Sequence, residues 1–322
     1  MKGIGGYFEF DCYHNTDLHK NALFLNSGRS CLRYIIKAYQ IKKLFIPLFS
    51  CDVILDIIIE EKIEFSFYKI DENFEPVLNN LLECDDWLLY INYFGLKSDY
   101  LEKLALVHKN SIVDNSQALF TPPVGEFPTF YSPRKFTGLP DGGLLYCNRK
   151  IDSFLEKDTS IKGTEHLFLR LEESPEMGFN SFLENERNIN VAGFKKISDL
   201  SKSIYSNTNF SYIKEMRNKN YSYLNDKLSS LNRLSNIFDI SDIKVPLAYP
   251  FLNSEIDGEK LRYHLIKNRV FVPQYWPNVL NWASKSDTEY YITKNIVYLP
   301  IDQRYTFKDM DIILNMVLEW KK

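Results

Sequence analysis

Three short stretches of this sequence hold residue types that can do chemistry together. Ser27-Gly28-Arg29-Ser30 opens a helical pattern, where backbone N–H groups without intrahelical partners and the helix dipole favour an anion, phosphate above all. Asp114, in IVDNSQALF, closes an apolar run, with Gln117 three residues on. Lys135 stands in FYSPRKFTGLPDGG, Phe130 to Gly143, ahead of Gly138, Gly142 and Gly143. A lysine amine attacks an aldehyde once deprotonated, a buried carboxylate keeps a ring nitrogen protonated, and a helix start cradles phosphate. Those are the parts of a pyridoxal 5'-phosphate (PLP) site. Each residue also has a plain structural reading. Gly28-Arg29-Ser30 suits an ordinary N-cap, Asp114 a strand-end cap, Gln117 a turn and Lys135 the solvated surface. The order and spacing of the set favour the chemical reading.

Other signals are weak. Gly3–Gly6 (GIGG) has no strand before it and no phosphate-loop lysine after it. The five histidines show no metal-ligand spacing; His14 and His19, beside Asp11 and Asp17, come nearest. No metal site is expected. No GxSxG motif or Cys/His pairing suggests acyl transfer.

At 322 residues and 45% hydrophobic, the chain can bury a core large enough for two domains. A net charge of −3 without a basic run argues against a nucleic-acid partner. Five cysteines, none spaced CxxC, fit a reducing compartment. The N-terminus lacks the apolar core of a signal peptide, and the longest apolar runs are strand-sized, so a cytoplasmic protein without a membrane partner is expected.

The elements that must position the site alternate in the first half. SGRSCLRYIIKAYQIKK, SCDVILDIIIEEK and SDYLEKLALVHKN read as helices. LFIPL, IEFSFYKI, WLLYINYF, SIVDNS, PTFYSP and GGLLYCN read as strands. Such alternation predicts an α/β fold with a mainly parallel sheet covered on both faces. Residues 151–230 are polar and helical in pattern, with the clearest helix from Ile213 to Leu234. VPLAYPFL, VFVPQYWP and NIVYLPI then read as strands, with EIDGEKLRYHLIKN and FKDMDIILNMVLEWKK as helices. The expected division is a large domain over 1–205 and a small C-terminal α/β domain over 206–322.

Taken together, the motifs resemble those of the DegT/DnrJ/EryC1/StrS family of PLP-dependent sugar aminotransferases, of the fold-type-I class. Asp114 to Ala118, DNSQA, resembles the family's D-A-A-Q-A. The spacing from Lys135 to Asp141-Gly142-Gly143 resembles that from the family's lysine to its E-G-G. SGRSCL is similar to its S-G-T-A-A-L. YKIDENFEP, the YFG at Tyr93–Gly95 and FVPQYWP resemble further segments, so the likeness runs from about residue 23 to the C-terminus.

The resemblance implies a three-layer, mainly parallel sheet in the large domain and a smaller C-terminal α/β domain. It makes Lys135 the lysine that bonds the cofactor and carries the proton. Asp114 would pair with the pyridine nitrogen, Gln117 would sit near the ring hydroxyl, and Gly28, Arg29 and Ser30 would hold the phosphate. Three departures stand out. Arg29 replaces the family threonine, to bind phosphate as a cation or to face substrate. Phe130 replaces a serine, a role Ser132 would take over. The Asp114–Lys135 interval is short. Phe49 is the nearest candidate to stack on the ring. Arg134, Tyr93, Tyr275, Trp276 and Arg304 are candidates for the substrate pocket.

By the same resemblance the substrates are a nucleotide-linked keto-sugar and an amino-acid donor, usually glutamate, in surface polysaccharide or lipopolysaccharide assembly. A homodimer is implied, with an asparagine, Asn180, Asn185 or Asn188, reaching the partner's site. The dehydratase branch of the family carries histidine where Lys135 stands. Two alternatives remain: a degenerate binding or scaffold subunit, and PLP chemistry on a non-sugar amino acid gripped by an arginine such as Arg304.

Overall fold

The alternation of apolar runs and amphipathic helices folds into one eight-stranded sheet. A computed structural model of the protein describes residues 16–78, 82–241 and 243–320; Gly3–Gly6, Cys12 and His14 lie outside them. The strands are β1 (Leu23–Leu25), β2 (Lys43–Pro47), β3 (Glu64–Ile70), β4 (Pro76–Val77), β5 (Trp87–Ile91), β6 (Ser111–Asp114), β7 (Thr129–Tyr131) and β8 (Gly143–Tyr146). They lie in the order β1-β8-β7-β6-β5-β2-β3-β4. β7, β6, β5, β2 and β3 run parallel, and β1, β8 and β4 are antiparallel to their neighbours. Parallel strands buried on both faces need continuous apolar sequence, which WLLYI of β5 provides.

Helices α1 (Gly28–Tyr39), α2 (Asp52–Glu60) and α3 (Tyr100–Val107) follow β1, β2 and β5. After β8 come α4 (Glu165–Glu172), α5 (Pro175–Val191), α6 (Asp199–Asn207) and α7 (Phe210–Leu228). Side chains alternate across a strand, and here the alternation separates two apolar layers. Phe130 and Leu145 pack in one core with Cys31, Leu32 and Ile35 of α1. Tyr131 and Leu144, one residue on or back, pack in another with Tyr205 of α6 and Phe210 and Ile213 of α7. The sheet is therefore the middle of three layers, as the sequence predicts.

The C-terminal region pairs β9 (Tyr249–Phe251) with β10 (Val297–Leu299), antiparallel. Around them lie α8 (Gly258–Lys267), α9 (Val279–Trp282), α10 (Thr288–Asn295) and α11 (Phe307–Trp320). One apolar core runs on from the large sheet through Tyr221 and Leu224 of α7 to Tyr298 of β10. The strand expected in VFVPQYWP does not form. Pro273 and Pro277 offer no N–H to a ladder, and Trp276 takes a left-handed φ of 54°, so the segment is a loop that folds back on the large sheet. Among the described residues no helix is long and apolar enough to cross a membrane.

Candidate active site

Asp114 is the last residue of β6, and its neighbour in the adjacent parallel strand β7 is Phe130. Both strands end at the same edge of the sheet, where ligands of open α/β sheets bind. Five residues beyond Phe130, Lys135 ends a single 3-10 turn, Pro133–Lys135. That turn is tightly held. Lys135 N–H donates to the Ser132 carbonyl at 3.2 Å, and Phe136 N–H to that of Pro133 at 2.9 Å. Thr137 donates to Pro133 O from both its N–H, at 3.0 Å, and its hydroxyl, at 2.9 Å.

Asp114 is buried and accepts from the Ser116 N–H at 2.8 Å and from the Ser116 hydroxyl. Burial raises its pKa, against the pull of the Lys135 charge and the Ser116 bonds. The surrounding protein lowers the pKa of Lys135; Asp114 and then Cys51 oppose the shift, Arg29 adds to it, and Glu186 opposes it. Lys135 is exposed, and the solvent that reaches it softens the desolvation imposed by the neighbouring protein. The neighbouring protein thus makes this amine readier to give up its proton than a fully solvated lysine.

The third part, the start of α1, meets the other two through β8. Ser27 caps the helix, its hydroxyl accepting from the Ser30 N–H at 3.2 Å, which leaves the N–H groups of Gly28 and Arg29 at the helix mouth. The Ser30 hydroxyl is engaged, donating to Asn26 Oδ1 at 2.6 Å. A Cβ on Gly28 would meet only the Phe130 ring, at 3.8 Å, so the protein's own packing does not demand glycine there. Gly142 and Gly143 fix the approach. Gly142 N–H donates to Asn26 O at 2.7 Å, and a Cβ on Gly143 would lie 2.4 Å from the Ser27 carbonyl carbon and oxygen. Asp141 anchors the same turn from outside, accepting from Ser198 N–H at 2.9 Å, Ser198 Oγ at 2.6 Å and the Ser201 hydroxyl.

The remaining candidates divide. Arg29, half-buried, has its pKa lowered by burial, with Glu186 the chief opposing charge, and it faces the Lys135 group. Ser132 is buried directly before the turn and lends it a carbonyl. Gln117 is buried and its side-chain carbonyl accepts from Phe94 N–H at 2.9 Å, so it pins the Tyr93–Gly95 turn. Phe49 is a correction. It has no exposed surface, and Trp276 stands edge-on to it at 4.6 Å, with Tyr93 at 5.4 Å and Phe74 at 6.1 Å. No face of that ring is left for a cofactor. Tyr93 and Trp276 belong to the same buried cluster, and the half-buried Tyr275 packs tilted against Tyr298, ring centroids 4.3 Å apart. Arg304 pairs with Asp302 through Nε at 2.7 Å and a terminal nitrogen at 2.8 Å. Asn185 is buried and donates to Pro140 O at 2.9 Å, whereas Asn180 and Asn188 are exposed on α5. His19 is a core residue, its Nε2 2.6 Å from Leu119 O.

Sequence reasoning missed Cys51 and Glu186. Cys51 caps α2 just past β2, at the same sheet edge, with its thiol pushed up to about 11 by burial. Position after a parallel strand's carboxyl end was the available signal. Glu186 reaches in from α5, ion-paired with Arg134, and nothing in the linear sequence marks it.

Sheet order and layering are a fold shared with solved proteins, among them a DegT/DnrJ/EryC1/StrS aminotransferase from Brucella abortus, with a TM-score of 0.60 at 13% identity. Helicobacter pylori PseC, an aminotransferase involved in the biosynthesis of pseudoaminic acid, superposes with a TM-score of 0.62 at 14% identity, over 92% of this chain and 86% of that one. Spr1654 from Streptococcus pneumoniae, in its PLP-form, gives 0.66 at 12% over 93% and 86%. NtdA from Bacillus subtilis, with bound cofactor PMP, gives 0.63 at 12% over 93% and 73%. No protein-family model and no curated protein sequence matches the chain.

Proposed function

We propose that the protein is a PLP-dependent aminotransferase that moves an amino group, from glutamate, to a nucleotide-linked keto-sugar in surface polysaccharide assembly. The observation that carries this reading is the placement of Lys135 and Asp114 at the ends of adjacent parallel strands, with the α1 start locked against Gly143. The residues present fit the cofactor: a buried carboxylate for the ring nitrogen, an amine of lowered pKa for the aldehyde, and an open glycine at a helix mouth for the phosphate.

When bound, PLP supplies an aldehyde that bonds to amines and a ring that withdraws electrons from the carbon carrying the nitrogen. The chain supplies the rest. The Gly28 and Arg29 N–H groups and the Arg29 guanidinium would hold the phosphate. Asp114, kept dry by burial, would be the acceptor for a protonated ring nitrogen. Lys135 would be the amine that bonds the aldehyde and, once freed, the base that carries the proton. Sugar as acceptor is supported by the named activities of proteins with this fold, among them a sugar aminotransferase from Micromonospora echinospora. Arg304, one candidate grip for a non-sugar substrate, is already paired with Asp302, which favours the sugar reading.

The reading extends to a homodimer working in the cytoplasm. Phe168 and Leu171 of α4 and Met177, Phe179 and Phe182 of α5 are exposed, an apolar surface that a second copy would cover. Incubation with glutamate and a panel of nucleotide-linked keto-sugars tests the function. Formation of 2-oxoglutarate beyond one equivalent per site only with a keto-sugar present supports it; glutamate that leaves the cofactor unchanged overturns it and favours the scaffold reading.

A further inference from the structure

The residue after Lys135 is gripped from the C-terminal region of the chain. Phe136 is buried, its carbonyl accepts from Gln303 Nε2 at 2.8 Å, and the Arg217 guanidinium lies over its ring, 4.6 Å from the centroid. Gln303 follows β10 and Arg217 sits on α7. Arg217 is itself buried at 3% exposure, donating from NH1 to Leu247 O at 2.8 Å and to Pro246 O at 3.2 Å. Leu247 N–H then donates to Phe94 O at 2.8 Å, and Phe94 N–H to Gln117 Oε1 at 2.9 Å.

A continuous relay therefore joins the segment after Asp114 to the lysine turn. It runs Gln117, Phe94, Leu247, Arg217, Phe136, through a crossing strap at 245–247 rather than along the sheet. Gly95 makes the crossing possible: a Cβ there would stand 2.6 Å from Val245 O and 2.7 Å from Gln117 O. Burying a guanidinium is costly unless its geometry is used. Its use here is to hold two carbonyls and an aromatic face at fixed separation.

Resting on the PLP reading above, we propose that Arg217 is a positioning residue for Lys135, fixing Phe136 and with it the placement of the lysine amine against Asp114. Gln303 acts in the same way on the Phe136 carbonyl. The charged groups facing Lys135 (Asp114, Cys51, Arg29 and Glu186) and those facing Arg217 (Asp302 and Arg304, with Tyr275) stay unchanged in the variants below. Arg217→Met removes one positive charge and Gln303→Ala removes none, so a shift shared by the two reports position.

The test uses the PLP-loaded protein as wild type, Arg217→Met, Arg217→Lys and Gln303→Ala. The readouts are the pH midpoint of the visible band of lysine-bound PLP, the rate of covalent capture of added PLP, and the melting temperature. R217M is expected to move the midpoint by half a pH unit or more and slow capture at least fivefold, with R217K restoring most of both. Q303A should slow capture at least twofold and move the midpoint in the same direction as R217M. A folded R217M with midpoint and capture rate like wild type, at whatever melting temperature, overturns the proposal. If R217M fails to fold, Q303A decides, and wild-type values there overturn it. A wild type without any Lys135-dependent band overturns the PLP reading and this inference together; a band that the variants leave unmoved overturns only the inference.

Discussion

Gly143 and Ser27 stand so close that a Cβ on the glycine would lie 2.4 Å from the serine's carbonyl carbon and oxygen. This contact sets the α1 helix mouth, where the phosphate would rest, in register with the strand that leaves the lysine turn. Gly143→Ala must push backbone from backbone, since no flexible side chain can yield. It is expected to cost about 1–3 kcal/mol of stability and to weaken PLP binding by about tenfold, the loss of roughly one hydrogen bond. Denaturant titration and cofactor titration read the two effects.

The Asp114 and Lys135 charges are coupled, and the coupling has a sign. Asp114 is the largest influence opposing the downward shift of Lys135, so Asp114→Asn is expected to lower the lysine's pKa further. The pH dependence of Lys135 labelling by an amine-reactive reagent on the cofactor-free protein measures this. Stability follows the carboxylate. Its folded pKa is raised, chiefly by burial, so the stability it contributes is full below the unfolded value and is lost as pH rises through the folded one. Asparagine does not titrate. The melting temperature of D114N should therefore rise relative to wild type as pH climbs through that window, in a scan beginning below the ordinary carboxylate pKa.

Gln117 bears on the fold through the bond its side chain accepts from Phe94 N–H. Gln117→Leu leaves the buried Phe94 N–H without its acceptor, and a loss of about 1–3 kcal/mol is expected from urea unfolding. Gln117→Glu keeps an acceptor oxygen and should recover part of that loss.

How far the sequence revealed this arrangement depends on the distance over which each feature is determined. That Asp114 and Lys135 come to one edge of the sheet was legible, because Asp114 closes one short apolar strand, Lys135 follows another, and parallel neighbours end at a common edge. The three layers were legible from the alternation of strand and helix patterns. Phe49 was misread because an aromatic residue at a strand end looks alike whether it faces a ligand or Trp276, and Trp276 is 227 residues away. FVPQYWP read as a strand from its apolar residues, although its two prolines carried the contrary signal. Glu186, Arg217 and the 245–247 strap reach the site only through tertiary packing, and no local pattern marks them.

The central claim is that Lys135 is the amine that bonds the cofactor. Loading the protein with PLP, reducing with borohydride and mapping the pyridoxyl adduct by mass spectrometry tests it most directly. The account predicts a visible band in wild type, an adduct on Lys135, and neither in Lys135→Ala. Equal bands in wild type and mutant, or an adduct confined to another lysine, would contradict it.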